Sequence, residues 1–204
     1  MPAPVPNVPP GFARGCAVLR SWVPRPDVVL AEVAPPTRVA PHALALVAEL
    51  IPPRGGDADP DSEPPATGRF VVLHDPAGQE GWDGDTRVVA FVRADLDDDM
   101  TRDPLLSEVV WSWLVDALAE HGAAANAASG TVSTTVSRRF GSDVGAGALG
   151  AEAGSEVGEV ELRCSWTPAE PTDLGAHLAA FCDVLALAAG VPPLTPGVTP
   201  LRPR

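Results

Sequence analysis

From Val157 to Trp166 the apolar Val160, Leu162, Cys164 and Trp166 alternate with Glu159, Glu161 and Arg163. That period of two predicts a strand with one face in a core and one in solvent. Thr131–Phe140 predicts its β partner. Two further runs, Arg69–His74 and Thr86–Asp95, flank a turn-rich segment and predict a hairpin. Val28–Val33 predicts a short strand. Residues 39–50 carry two signals: Pro41 suits a helix start, whereas Leu44, Leu46, Ala48 and Leu50 alternate and argue for a strand. Helical spacing appears three times. Phe12, Cys16, Leu19 and Val23 precede Pro24 and Pro26. Leu106, Val109, Val110, Trp113, Leu114, Ala117 and Leu118 follow Asp103-Pro104, read as N-cap and first helical proline, and end at Gly122. Leu174, Leu178, Phe181, Leu185 and Ala188 form the last stripe, begun near Thr172 and stopped by Gly190 and Pro192.

The order helix, three or four strands, helix, two strands, helix leaves connections too short for parallel crossovers. The expected fold is therefore a single α+β domain with a mainly antiparallel sheet, spanning residues 9–193. Flexible insertions are expected at 52–66 and 141–155, and extended proline-rich tails at 1–8 and 194–204. This element order looks like that of the type III secretion chaperone-like fold, whose members are often dimeric protein-binding modules.

The hairpin tip, residues 74–85, holds the densest set of titratable groups: His74, Asp75, Glu80, Asp83 and Asp85. Asp75-Pro76-Ala77-Gly78-Gln79-Glu80 is close to the Asp-x-Ala-Gly-Gln-Glu with which small GTPases position a hydrolytic water. A P-loop, however, needs a lysine for the β- and γ-phosphates, and all 14 basic residues here are arginine. His74, Asp75 and Glu80 remain the candidates for hydrolase-like acid–base chemistry. Against that reading, Asp75-Pro76 and Asp83-Gly84 are strong turn formers whose carboxylates bond nearby amides. His42, His121 and His177 fall on separate elements without paired metal-ligand spacing. The acidic run Asp95–Asp99 places Met100 and Leu106 where a calcium loop wants Gly and Glu. No metal or cofactor is expected.

A net charge of −13 argues against nucleic acid and against an anionic membrane surface as partners. Cys16, Cys164 and Cys182 are odd in number and widely spaced, which suits a reducing compartment. With no apolar run long enough to span a bilayer and no leader-like start, a cytoplasmic protein is expected.

Bulk on both faces of the second hairpin strand is a different kind of signal. Val88, Ala90 and Val92 stand on one side, and Val89 and Phe91 with Arg87 and Arg93 on the other. Antiparallel sheets commonly leave one face polar, so the second face needs a cover: the first helix, a symmetry mate or a partner. Trp111 lies outside the main helical stripe, and Trp82 is the large apolar group of the tip. Trp82, Arg87, Phe91, Arg93 and Trp111 are thus the candidate binding residues.

Residues Ala66-Thr67-Gly68-Arg69-Phe70 through Gly78-Gln79-Glu80, Asp103-Pro104-Leu105-Leu106, Trp111-Ser112-Trp113-Leu114, Ser129-Gly130-Thr131-Val132 and Ser165-Trp166-Thr167-Pro168 resemble the actinobacterial domain-of-unknown-function family 3000 over about residues 12–193. That resemblance implies no activity and no catalytic residues. The expectation is a non-catalytic protein-binding or dimerising module, with a hydrolase-like enzyme sited at the hairpin tip as the alternative.

Overall fold

The computed structural model describes residues 8–51, 63–139 and 155–192. The interiors of both expected insertions and the 194–204 tail lie outside them. Ten elements run in order: α1 Pro10–Ser21, β1 Val28–Val33, β2 His42–Leu50, β3 Ala66–His74, β4 Thr86–Leu96, α2 Asp98–Thr101, α3 Leu106–Glu120, β5 Ala125–Arg139, β6 Ser155–Pro168 and α4 Leu174–Ala188. The strands form one six-stranded sheet, β1-β2-β3-β4-β6-β5, with every neighbouring pair antiparallel. This is an α+β fold in the expected helix–strand order, and the alternation in residues 39–50 is that of strand β2.

Four local expectations are corrected. Helix α1 stops at Ser21, because Trp22 is already extended, and Val23 is 82% exposed rather than part of the stripe; a residue before proline is pushed out of the helical region. Asp103 is not the N-cap of α3, which is Leu105; its carboxylate instead accepts the Leu105 N–H at 2.9 Å in a turn ahead of the helix. The buried stripe of α3 is Leu106, Val110, Leu114, Ala117 and Leu118, while Val109 faces outward. Strands also claim the insertion margins, β3 starting at Ala66 and β6 at Ser155, and the acidic run before α3 winds into the single turn of α2.

All the long helices lie on one face of the sheet. Helix α4 rests on β2, β3, β4 and β6, and α1 and α3 flank it. Its Leu174, Leu178, Phe181 and Leu185 meet Leu44, Phe70, Val72, Val88, Val92, Leu162 and Trp166 in one continuous core. Gly68 makes the close approach of α4 possible: a Cβ there would stand 2.7 Å from the Phe181 ring and 2.9 Å from the Phe91 carbonyl. The three cysteines are free and buried, and burial pushes the Cys164 and Cys182 thiols up to about 12. They serve as small apolar groups. Arg25 ties the helical layer to the sheet, donating to Asp27 at 2.6 Å and to Asp183 at 2.9 Å, while His121 holds the other Asp183 oxygen at 2.7 Å.

Candidate functional site

Three parts of the molecule carry exposed or unusual chemistry: the hairpin tip, the helix-free face of the sheet, and a cleft beside α1.

At the tip, the catalytic candidates diverge. Asp75 accepts the Ala77 N–H at 3.0 Å and a Gln79 amide hydrogen at 3.2 Å, and its own N–H reaches Asp85 O at 2.8 Å. Its carboxylate is therefore engaged in shaping the turn. Gln79 also donates to Val39 O at 2.9 Å, fastening the tip to the β1–β2 connection. Glu80 is exposed. His74 is 6% exposed and points into the helical side of the sheet, stacked on Phe12 with ring centroids 5.2 Å apart. Thr86 Oγ1 donates to Asp85 at 2.8 Å, so His74 Nδ1, at 2.9 Å from the same hydroxyl, is the donor in that pair. The opposite nitrogen, Nε2, is buried and without a partner among the described residues. His74 thus faces the helical side of the sheet while the Asp75 carboxylate is engaged within the turn, and the described residues contain no cluster of three or more His, Cys, Asp or Glu able to hold a metal.

Gly78 and Gly81 adopt φ of 69° and 81°, and Asp83 adopts 57°; this coiled backbone turns Trp82 back onto the helix-free face. There Trp82 packs with Val33, Ala40 and Ala43 over a second small core of Ala45, Val71 and Leu73. The Trp82 carbonyl accepts the Thr167 hydroxyl.

Among the described residues, nothing covers the remainder of that face. Helix α1, one of the three covers expected for it, packs beside α4 on the opposite side. Along β4 the face presents Arg87, Val89, Phe91 and Arg93. Val89 is 36% exposed and Phe91 is half-buried beneath the Arg163 guanidinium, 5.5 Å from its ring centroid. Arg93 pairs with Glu159 at 2.6 Å, and Arg163 with Glu161 at 2.8 Å. Arg87 differs from the exposed anchor its sequence position suggests. It is 7% exposed and donates to Ser165 Oγ at 2.8 Å, Thr167 Oγ1 at 3.1 Å, Ser165 O at 3.3 Å and Ser129 Oγ at 3.4 Å, with no carboxylate partner among the described residues. Desolvation lowers its pKa. It staples β4, β6 and β5 together from within the sheet surface.

Trp111 belongs to the other side. Its ring packs half-buried over Gly130, where a Cβ would lie 2.7 Å from the indole, so only glycine admits it. Its place off the buried stripe reflects contact with β5, an element whose position no helical periodicity reports.

The third part escaped the sequence reading. A cleft of about 620 Å³ opens between α1 and the β1–β2 connection, with Phe12, Cys16 and His42 among its lining and Arg20, Thr37 and Arg38 contributing polar groups. Arg38 has a φ of 80°, a conformation costly for any residue with a Cβ. The one signal in the chain was the bracket Pro35-Pro36 and Pro41 around Arg38, which confines the connection without indicating what faces it.

The family described as a protein of unknown function (DUF3000) matches residues 8–199. No curated protein and no solved structure gives a significant match.

Proposed function

We propose that this chain, which belongs to the DUF3000 family of proteins of unknown function, is a non-catalytic cytoplasmic module that dimerises through the helix-free face of its sheet. The observation that carries the reading is the charge balance of that face. On a chain of net charge −13, association of like copies is opposed by self-repulsion. Strand register nevertheless sets the exposed Arg69, Arg93 and Arg163, with the buried Arg87 among them, beside Glu49, Asp95, Glu159 and Glu161 on this one face. A two-fold interface must be self-complementary, and a patch of mixed charge around Val89 and Phe91 meets that condition.

Size agrees. Six strands about 4.8 Å apart and some 25 Å tall give a face on the order of 700 Å², of which the tip takes one corner; a standard interface buries about 800 Å² per partner. Buried free thiols fit a reducing compartment. No helix among the described residues is long and apolar enough to cross a membrane.

Sedimentation equilibrium of the whole chain tests the proposal. The expected result is a dimer at micromolar concentration, converted to a folded monomer by Phe91→Asp. A monomeric wild type, or a Phe91→Asp protein that remains dimeric with an unchanged melt, would overturn it.

A further inference from the structure

The cleft beside α1 lies at the β1–β2 connection, shared between Phe12 and Cys16 of α1 and Ala40 and Ala43 at the edge of the small core under Trp82, and its chemistry differs from that of the proposed dimer surface around Val89 and Phe91. Its walls are largely apolar: Val8, Phe12, Cys16, Pro35, Pro36 and Pro41. Into this space come nitrogen donors of unequal standing. Arg20 is neutralised by Glu32, which accepts both its Nε at 2.8 Å and its terminal nitrogen at 2.7 Å. Arg38 makes no ion pair among the described residues, and His42 makes no hydrogen bond there. Behind His42 stands His74, whose ring centroid lies 6.1 Å from that of His42 and whose buried Nε2 lacks a partner among the described residues. The first turn of α1, at the same cleft, has Pro9 in the capping position, and among the described residues it has no side-chain cap and no acidic residue.

We infer that this cleft binds a small organic carboxylate with an apolar body, its charge held by Arg38 and His42 and its body seated on Phe12. The volume falls in the range of small-molecule sites, which combine apolar walls with a few convergent polar groups. A guanidinium without a carboxylate partner is the donor best matched to a planar carboxylate. The backbone at Arg38 points the same way: an arginine occupies a left-handed position that glycine would fill without strain, so the guanidinium stands at the cleft at the expense of backbone strain.

That strain supplies a clean variant. Arg38→Gly relieves the backbone while deleting the guanidinium, so folding is preserved or improved as binding is lost. The probes are benzoate, its neutral isostere benzamide, and inorganic phosphate, followed by calorimetry and by the NMR shifts of the His42 ring in the full chain. Benzoate is expected to bind saturably at millimolar concentration and to shift His42. Benzamide, and benzoate on Arg38→Gly, are each expected to bind about tenfold more weakly or worse, the loss of one charge-assisted contact. Phosphate is expected to bind more weakly than benzoate, because it leaves the apolar wall unused. The inference fails if benzoate causes no saturable shift. It fails equally if benzamide matches benzoate, if Arg38→Gly binds as the wild type does, or if phosphate binds at least as tightly.

Discussion

Trp166 Nε1 donates a hydrogen bond to His177 Nδ1 at 3.0 Å in the middle of the core, where Trp166 is fully buried and His177 is 2% exposed. The indole N–H can only donate, so Nδ1 must be unprotonated and the ring neutral. Burial holds the imidazole pKa down at about 4, against an ordinary 6.5, with Asp173 opposing.

The consequence is a pH dependence of known sign. In the unfolded chain His177 takes up a proton as pH falls below about 6.5, while in the folded chain it stays neutral to about 4. Folding stability contributed by this group is therefore fully present above 6.5 and declines between 6.5 and 4, by roughly 3 kcal/mol across the window. His177→Gln keeps an acceptor for Trp166 without the titration. Its urea-unfolding free energy is expected to fall less steeply over that range than the wild type's. Parallel pH profiles would show that His177 does not titrate as described.

Gly68→Ala is expected to destabilise by about 1–3 kcal/mol, the cost of forcing bulk into a filled core. The new methyl would stand 2.7 Å from the Phe181 ring and 2.9 Å from a backbone oxygen that cannot retreat. Pairing with Phe181→Leu should recover part of the loss in a chemical-denaturation double cycle. Strict additivity would mean that the contact is not the cause.

Trp82→Ala is expected to cost about 2 kcal/mol, less than the loss of a fully buried tryptophan, because the ring is half-buried over Ala45, Val71 and Leu73. The measurement is a thermal melt. An unchanged melting temperature would separate the tip from the fold.

Arg87→Met tests the opposite expectation for a charge. A buried cation answered by three hydroxyls and the Ser165 carbonyl, with no carboxylate partner among the described residues, carries a desolvation cost that these neutral acceptors offset only in part, so an apolar side chain of similar length should leave stability within about 1 kcal/mol of wild type or raise it. A loss of several kcal/mol by urea unfolding would show that the hydrogen bonds to Ser129, Ser165 and Thr167 outweigh that cost.

How far the amino-acid order reaches is visible in particular residues. Alternation along Val160–Trp166 and the helical stripe Leu174–Ala188 suffice to predict β6 and α4, since each records which side of a single element avoids water. The antiparallel α+β class follows from the short links between such elements, and so does the hairpin that holds His74 and Trp82. What periodicity leaves open is which surface meets which. Arg87 and Arg93 occupy equivalent positions on one strand face, yet Arg87 is buried among hydroxyls of β5 and β6 while Arg93 lies exposed beside Glu159. Placing α1 beside α4, and so uncovering the sheet's other face, depends on Gly15 and Gly175, where any Cβ would press on a side chain of the facing helix or its approach. The cleft of Arg38 and His42 likewise joins a helix end, a proline-bracketed loop and a strand end from separate parts of the chain. Hydrophobic patterning is a property of one element at a time, whereas a cleft or an uncovered face is a relation among several, and only the packed structure sets it.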